Sequence, residues 1–178
     1  KSDEKSIMIC EDDIYFTEDF NYDSLLQIKE FLEETDEPRL VVLQKSIYHH
    51  KHIRSVGNNV NLYSTRNAFC THGYMINRAG AENIKNLQTP VKFEIDAFKF
   101  YYWLDVCKLY CLDKDFILQH DIDVCSQTVI KNWASDRGKK KKRAYNLIYK
   151  NLSFKGKCVS QWRRFEKALY KSSEGLDY

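Results

Sequence analysis

Glu11, Asp12 and Asp13 follow directly on the apolar run Ile7-Met8-Ile9-Cys10, and Ile14-Tyr15-Phe16 turns apolar again. Three adjacent negative charges repel one another, and a divalent cation with a taste for oxygen, Mn²⁺ or Mg²⁺, relieves that repulsion. Glu11 and Asp13 are two positions apart, so on a continuing strand they share a face. The competing reading is an acidic surface turn. A second stretch, Thr71 to Ala81, sets Gly73 between His72 and Tyr74, where close backbone approach or an unusual dihedral needs glycine. Asn77 then opens a helix whose N-terminus suits a diphosphate, although a plain strand-to-helix turn accounts for the same residues. In a third stretch, Pro90 to Asp96, Glu94 and Asp96 stand at a loop-to-helix junction, as helix caps or as acid and base. In the fourth, Gln119-His120-Asp121 with Ser126 beyond, His120 is a metal ligand, a base or a structural residue.

The elements that must carry these residues follow from periodicity. Ser6–Cys10 is apolar without alternation, which predicts a strand buried on both faces. Phe20–Glu34 predicts a helix capped by Asn21 or Asp23, with a stripe of Leu25, Ile28, Phe31 and Leu32. Leu40–Leu43 predicts a second buried strand, and residues 46–61, rich in His, Gly and Asn, a loop. Short strands are expected over Leu62–Thr65, Thr71–Ile76, Lys108–Cys111 and Phe116–Leu118. Helices are expected over Arg78–Leu87, within the aromatic span Ile95–Val106, and in basic form near Arg143–Lys150 and Ser160–Lys171. Strands alternating with helices point to an α/β sandwich. No Gly-x-Gly-x-x-Gly, phosphate loop or Gly-x-Ser-x-Gly elbow occurs, which removes several common enzyme classes.

The 178 residues suffice for a domain with a real core, and 43% hydrophobic with 14% aromatic content favours folding over disorder. No stretch approaches the roughly 18 apolar residues of a membrane span. The charged start Lys1 to Lys5 is no signal peptide, and a strand so early suggests sequence upstream. The six cysteines form no Cys-x-x-Cys pair and no zinc spacing, so reduced thiols are expected, and with them a cytoplasmic setting. Charge is uneven: Lys131 to Lys167 holds thirteen Lys or Arg against Asp136 and Glu166, whereas Ser2 to Glu37 is acidic. The run Lys139 to Arg143 reads as a solvated face or as a basic helix on an anionic membrane. Nucleic acid is not expected, because no binding motif accompanies the run and the acidic front repels phosphate.

Taken in order, the four stretches resemble glycosyltransferase family 25, which includes lipooligosaccharide and collagen galactosyltransferases. The matching features are the strand ending in Glu11-Asp12-Asp13, the strand at Leu40–Leu43 and the block Gly73-Tyr74-Met75-Ile76-Asn77-Arg78-Ala79-Gly80-Ala81. Pro90 with Asp96, then Gln119 with Ser126, complete it over residues 6–130. The first blocks of the family, which would precede Glu11, are not in the chain. The resemblance implies a GT-A-like (Rossmann-like) α/β fold incomplete at its N-terminus, with residues 1–130 catalytic and 131–178 a basic helical extension. It implies inverting transfer of a hexose, galactose first, from a UDP-sugar to a glycan or lipid-linked acceptor, with Mn²⁺ or Mg²⁺. Asp13, with Glu11 and His120, would hold the metal. Glu11, Asp12, His72, Gly73 and Tyr74 would hold the donor, and Asp96, then Glu94, would be the general base. Such a protein would sit in the cytoplasm or at the inner face of the cytoplasmic membrane. The rival expectation is a non-catalytic module that holds a glycan, a partner or a membrane.

Overall fold

The computed structural model describes residues 3–46, 48–57, 59–68, 72–119 and 127–169, and of 127–137 and 167–169 the backbone alone. The elements in chain order are β1 (Ser6–Cys10), β2 (Ile14–Phe16), α1 (Tyr22–Glu33), β3 (Arg39–Lys45), β4 (His49–Ser55), β5 (Asn61–Thr65) and β6 (Gly73–Asn77). Then follow α2 (Arg78–Leu87), α3 (Phe98–Trp103), β7 (Lys108–Leu112), β8 (Ile117–Gln119), α4 (Gln127–Asn151) and α5 (Phe154–Leu169).

Six strands form one sheet in the order β1-β6-β3-β7-β5-β4, and β2 pairs with β8 in a separate ladder. Within the large sheet β3 and β7 run parallel, and every other neighbouring pair is antiparallel. The fold is therefore mixed α/β with a mostly antiparallel six-stranded sheet. One cause is local: β4 and β5 join through a short turn in which Val60 N donates to Gly57 O and Val56 N to Val60 O. A turn that short joins only antiparallel neighbours, and Gly57 supplies its left-handed φ of 83°.

β3 is buried on both faces, as its composition predicts. Leu40 and Val42 face a layer made by α2, α3 and α4, while Val41 and Leu43 face α1 through Ile28, Phe31 and Leu32. Asn77 fastens the two sides together. Its Oδ1 accepts from Gly80 N at 2.9 Å, capping α2, and from Arg39 N at 3.0 Å, while its Nδ2 donates to Glu37 O at 2.7 Å. Tyr145 of α4 is buried and stacks on Phe100, so the basic C-terminal segment packs on the core.

Four local expectations change. β1 is an edge strand, with Ile7 53% exposed and Met8 packed inward. An apolar run signals a sheet but does not say how many neighbours cover it. His49–Ser55, expected within a loop, forms β4, because register with β5 (His52↔Tyr63, Ser55↔Asn61) outweighs weak strand propensity. The basic helix expected near Arg143–Lys150 runs from Gln127 to Asn151, and the helix within Ile95–Val106 is confined to Phe98–Trp103.

Candidate active site

β1, β3 and β7 all end on one side of the sheet, and Glu11 to Asp13 follow β1 there. β6 runs the opposite way, so Gly73 pairs with Cys10, and Glu11 N donates to His72 O at 3.1 Å. This extra rung sets His72 Nδ1 3.6 Å from Glu11 Oε2. The chain then turns through Asp12 and Asp13 into β2, whose first residue pairs with Gln119 of β8. The Gln119 side-chain amide donates to Asp13 Oδ2. Asp13 Oδ1 is buried and has no hydrogen-bond partner among the described residues. A buried carboxylate oxygen without a donor costs free energy that a cation would recover. Glu11 and Asp12 are exposed. Among the described residues no three His, Cys, Asp or Glu side chains converge as a metal set. His120, Asp121 and Ser126 lie outside the described residues.

Gly73 is explained by packing. A Cβ there would lie 2.4 Å from Ile117 Cδ1, the far end of that side chain, so any larger residue at 73 requires Ile117 to shift. Tyr74 is buried edge-to-face on Phe98, and burial pushes its phenol pKa up, with the Glu11 charge adding. Tyr101 is pushed up to about 12 by burial, with contributions from Tyr74 and Asp96. Gln88 donates to its hydroxyl at 2.8 Å.

Glu94 and Asp96 do not cap α3, whose N-cap Ala97 has no side-chain partner. Instead both pair with the Lys141 ammonium of α4, Asp96 Oδ1 at 3.3 Å. Glu94 also lines an apolar groove of about 530 Å³ with Ile9, Tyr74, Ile76, Val91 and Phe93. The end of β1, the Gly73–Ala81 block and the Pro90–Asp96 loop thus meet around one depression. The carboxylates divide by partner into two groups, Glu11 with His72 and Asp13 with Gln119, then Glu94 and Asp96 with Lys141, and of the four Glu94 lines the depression. The contribution of Gln119 to holding Asp13 follows only from the β2–β8 register, which a three-residue strand does not announce. Lys141 carried no signal either, because it stands inside a lysine run that reads as a solvated face.

The chain matches no curated protein and no solved structure. Residues 1–99 match the model of glycosyltransferase family 25, described as a lipopolysaccharide (LPS) biosynthesis protein. That span takes in Glu11 to Asp13, the Gly73–Ala81 block and Asp96, whereas Gln119 and Lys141 lie beyond it. With more than half its length matched, the chain belongs to glycosyltransferase family 25.

Proposed function

We propose that this domain transfers a hexose, galactose first among candidates, from a UDP-sugar to a glycan or lipid-linked acceptor of lipopolysaccharide biosynthesis. The reading takes the fold as a GT-A-like arrangement with the donor beyond the carboxyl ends of β1, β3 and β7. The observation that carries it is Asp13, with Oδ2 held by Gln119 and Oδ1 buried and unpartnered among the described residues. That oxygen suits Mn²⁺ or Mg²⁺, which bind through one or two carboxylates together with substrate phosphates. Asp13 would hold the ion, with Glu11 behind it and His120 as a further ligand. Bound there, the cation would neutralise charge developing on the diphosphate leaving group. Glu11, Asp12, His72, Gly73 and Tyr74 would line the donor.

Inversion in one displacement requires a base for the acceptor hydroxyl proton. Asp96 is assigned that role, with Glu94 second. The hydroxyl oxygen forms the new glycosidic bond, the bond to UDP breaks, and the carboxylate takes the proton. Lys141 Nζ, 3.3 Å from Asp96 Oδ1, would hold that carboxylate in position. The test is UDP-galactose turnover with Mn²⁺ by a version carrying any upstream sequence. Asp13→Ala and Asp96→Ala should each abolish turnover, and full turnover by Asp13→Ala would sink the metal assignment.

A second reading is a binding module without turnover, favoured by the pairing of both candidate bases with one lysine. Calorimetry separates the two, since such a module has no Mn²⁺-dependent affinity for UDP. Peripheral membrane contact at the cytoplasmic face belongs to either reading. Its support is the stripe Lys139, Lys142, Arg143 and Lys150 beside the exposed Leu147 on α4. No helix among the described residues is long and apolar enough to cross a membrane. Sedimentation with phosphatidylglycerol vesicles, against phosphatidylcholine alone, tests that contact.

A further inference from the structure

A cleft of about 560 Å³ lies between the sheet and α5, far from Asp13 in the topology. It gathers residues where β4 and β7 begin and β5 ends, whereas the candidate active site lies where β7 ends. Lys51, Arg66, Lys108 and Arg163 line it against only two acids, Asp105 and Glu166. Both acids are already engaged. Glu166 Oε1 pairs with Arg66 Nη2 at 2.8 Å, its Oε2 accepts from the Tyr102 hydroxyl at 2.7 Å, and Asp105 pairs with Arg163. Lys108 pairs with Glu37 outside the cleft lining, which leaves Lys51 as the cleft cation with no ion-pair partner among the described residues.

The cations are held in place rather than free to wander. The Arg66 side chain is 12% exposed, and the Arg163 and Arg66 guanidinium carbons lie 4.6 and 5.3 Å from the Tyr102 ring centroid. Arg66 Nη2 also donates to His50 Nδ1 at 2.8 Å. Arginine has no acceptor, so His50 Nδ1 must accept, which puts the imidazole proton on Nε2. Burial and the Arg66 charge both push the His50 pKa down, in keeping with a neutral ring. Arg66 Nε is buried without a hydrogen-bond partner among the described residues, a donor left over in a cationic cleft. At the rim Trp162 is 60% exposed, offering a flat apolar face suited to the C–H face of a pyranose.

We propose that this cleft is a second carbohydrate site, which takes a sugar unit bearing a phosphate or carboxylate from an oligosaccharide. Preorganised guanidinium groups suit phosphate and carboxylate oxygens, and the volume falls in the range of small-ligand pockets. The proposal rests on the glycosyltransferase reading for its ligand class, since such a domain must grip a saccharide acceptor. It adds a site remote from the chemistry that would choose acceptors by charge.

The test is calorimetry on the full chain with glucose 6-phosphate, trigalacturonate, maltotriose and inorganic phosphate, without UDP or metal. At least one anionic sugar should bind about tenfold or more tightly than maltotriose and than phosphate, as one or two charge-assisted hydrogen bonds would give. Lys51→Glu and Trp162→Ala, both at exposed positions, should each weaken that binding about tenfold. Asp13→Ala should leave it unchanged. Failure of both anionic sugars to bind, equal binding by maltotriose or by phosphate, or unchanged binding in both variants would overturn the proposal. Mn²⁺-dependent UDP affinity, measured separately, should persist in Lys51→Glu and Trp162→Ala. Its loss in the unaltered chain would count against the donor site and not against this cleft.

Discussion

Gln119 holds Asp13 across 106 residues of sequence, its side-chain amide donating to Asp13 Oδ2 from the strand that pairs with β2. The arrangement leaves one carboxylate oxygen fixed and the other available. Gln119→Ala keeps the charge and removes the orientation. The expected outcome is a loss of about 10–100-fold in Mn²⁺-dependent UDP affinity, the usual cost of releasing a metal ligand from its support. Calorimetry at fixed Mn²⁺ reads it, and an unchanged affinity would show that Asp13 needs no such support.

Lys141 faces Glu94 and Asp96 together, which makes it the side chain that holds the proposed base in place. Lys141→Met removes that ion-pair partner and releases both carboxylates from their positions. The expected outcome is a fall in kcat of about tenfold or more with Mn²⁺-dependent UDP affinity unchanged, the usual cost of misplacing a reacting group. Steady-state kinetics beside calorimetry read it, and an unchanged kcat would show that Lys141 does not position the base.

Gly73 and Ile117 form a steric pair at the start of β6. Gly73→Ala should destabilise the domain by about 1–3 kcal/mol, the usual range for overpacking. Ile117→Ala in the same background makes room for the new methyl, so the double variant should lose less than the sum of the singles. Urea unfolding of the four proteins in the cycle measures it. Strict additivity would mean that the clash is relieved elsewhere.

Thiol reactivity should separate by burial. Cys107 and Cys111 are buried, and burial pushes both thiols far up, so little thiolate forms at neutral pH. Cys10 and Cys158 are exposed, with Cys10 also shifted upward by partial burial. Under native conditions iodoacetamide should label Cys158 first, Cys10 more slowly, and Cys107 and Cys111 only after denaturation. Peptide mapping by mass spectrometry distinguishes the four.

Much of the local structure was legible because it depends on near neighbours. Asn21 and Asn77 cap the helices that their positions announce, with acceptor contacts to Ser24 N and Gly80 N. Leu40–Leu43 is a strand buried on both faces, as an unbroken apolar run implies. The Glu11–Asp13 and Gly73–Ala81 patterns were enough to point to the family that residues 1–99 match. β4 was hidden because its histidines are poor strand formers and its stability comes from the facing residues of β5.

By itself, then, the sequence determined the family, the residue types able to hold a cation or take a proton, and the helices with their caps. Each of these is written in residues a few positions apart. Only the tertiary structure decided that β1 lies at an edge, that the sheet is mostly antiparallel, and that the Ile117 side chain packs against Gly73 where a Cβ would stand. It alone paired Asp13 with Gln119 and turned Lys141 out of a solvated run onto Glu94 and Asp96. Those pairings depend on strand register and helix docking, set by burial summed over the whole core, and no local pattern encodes them.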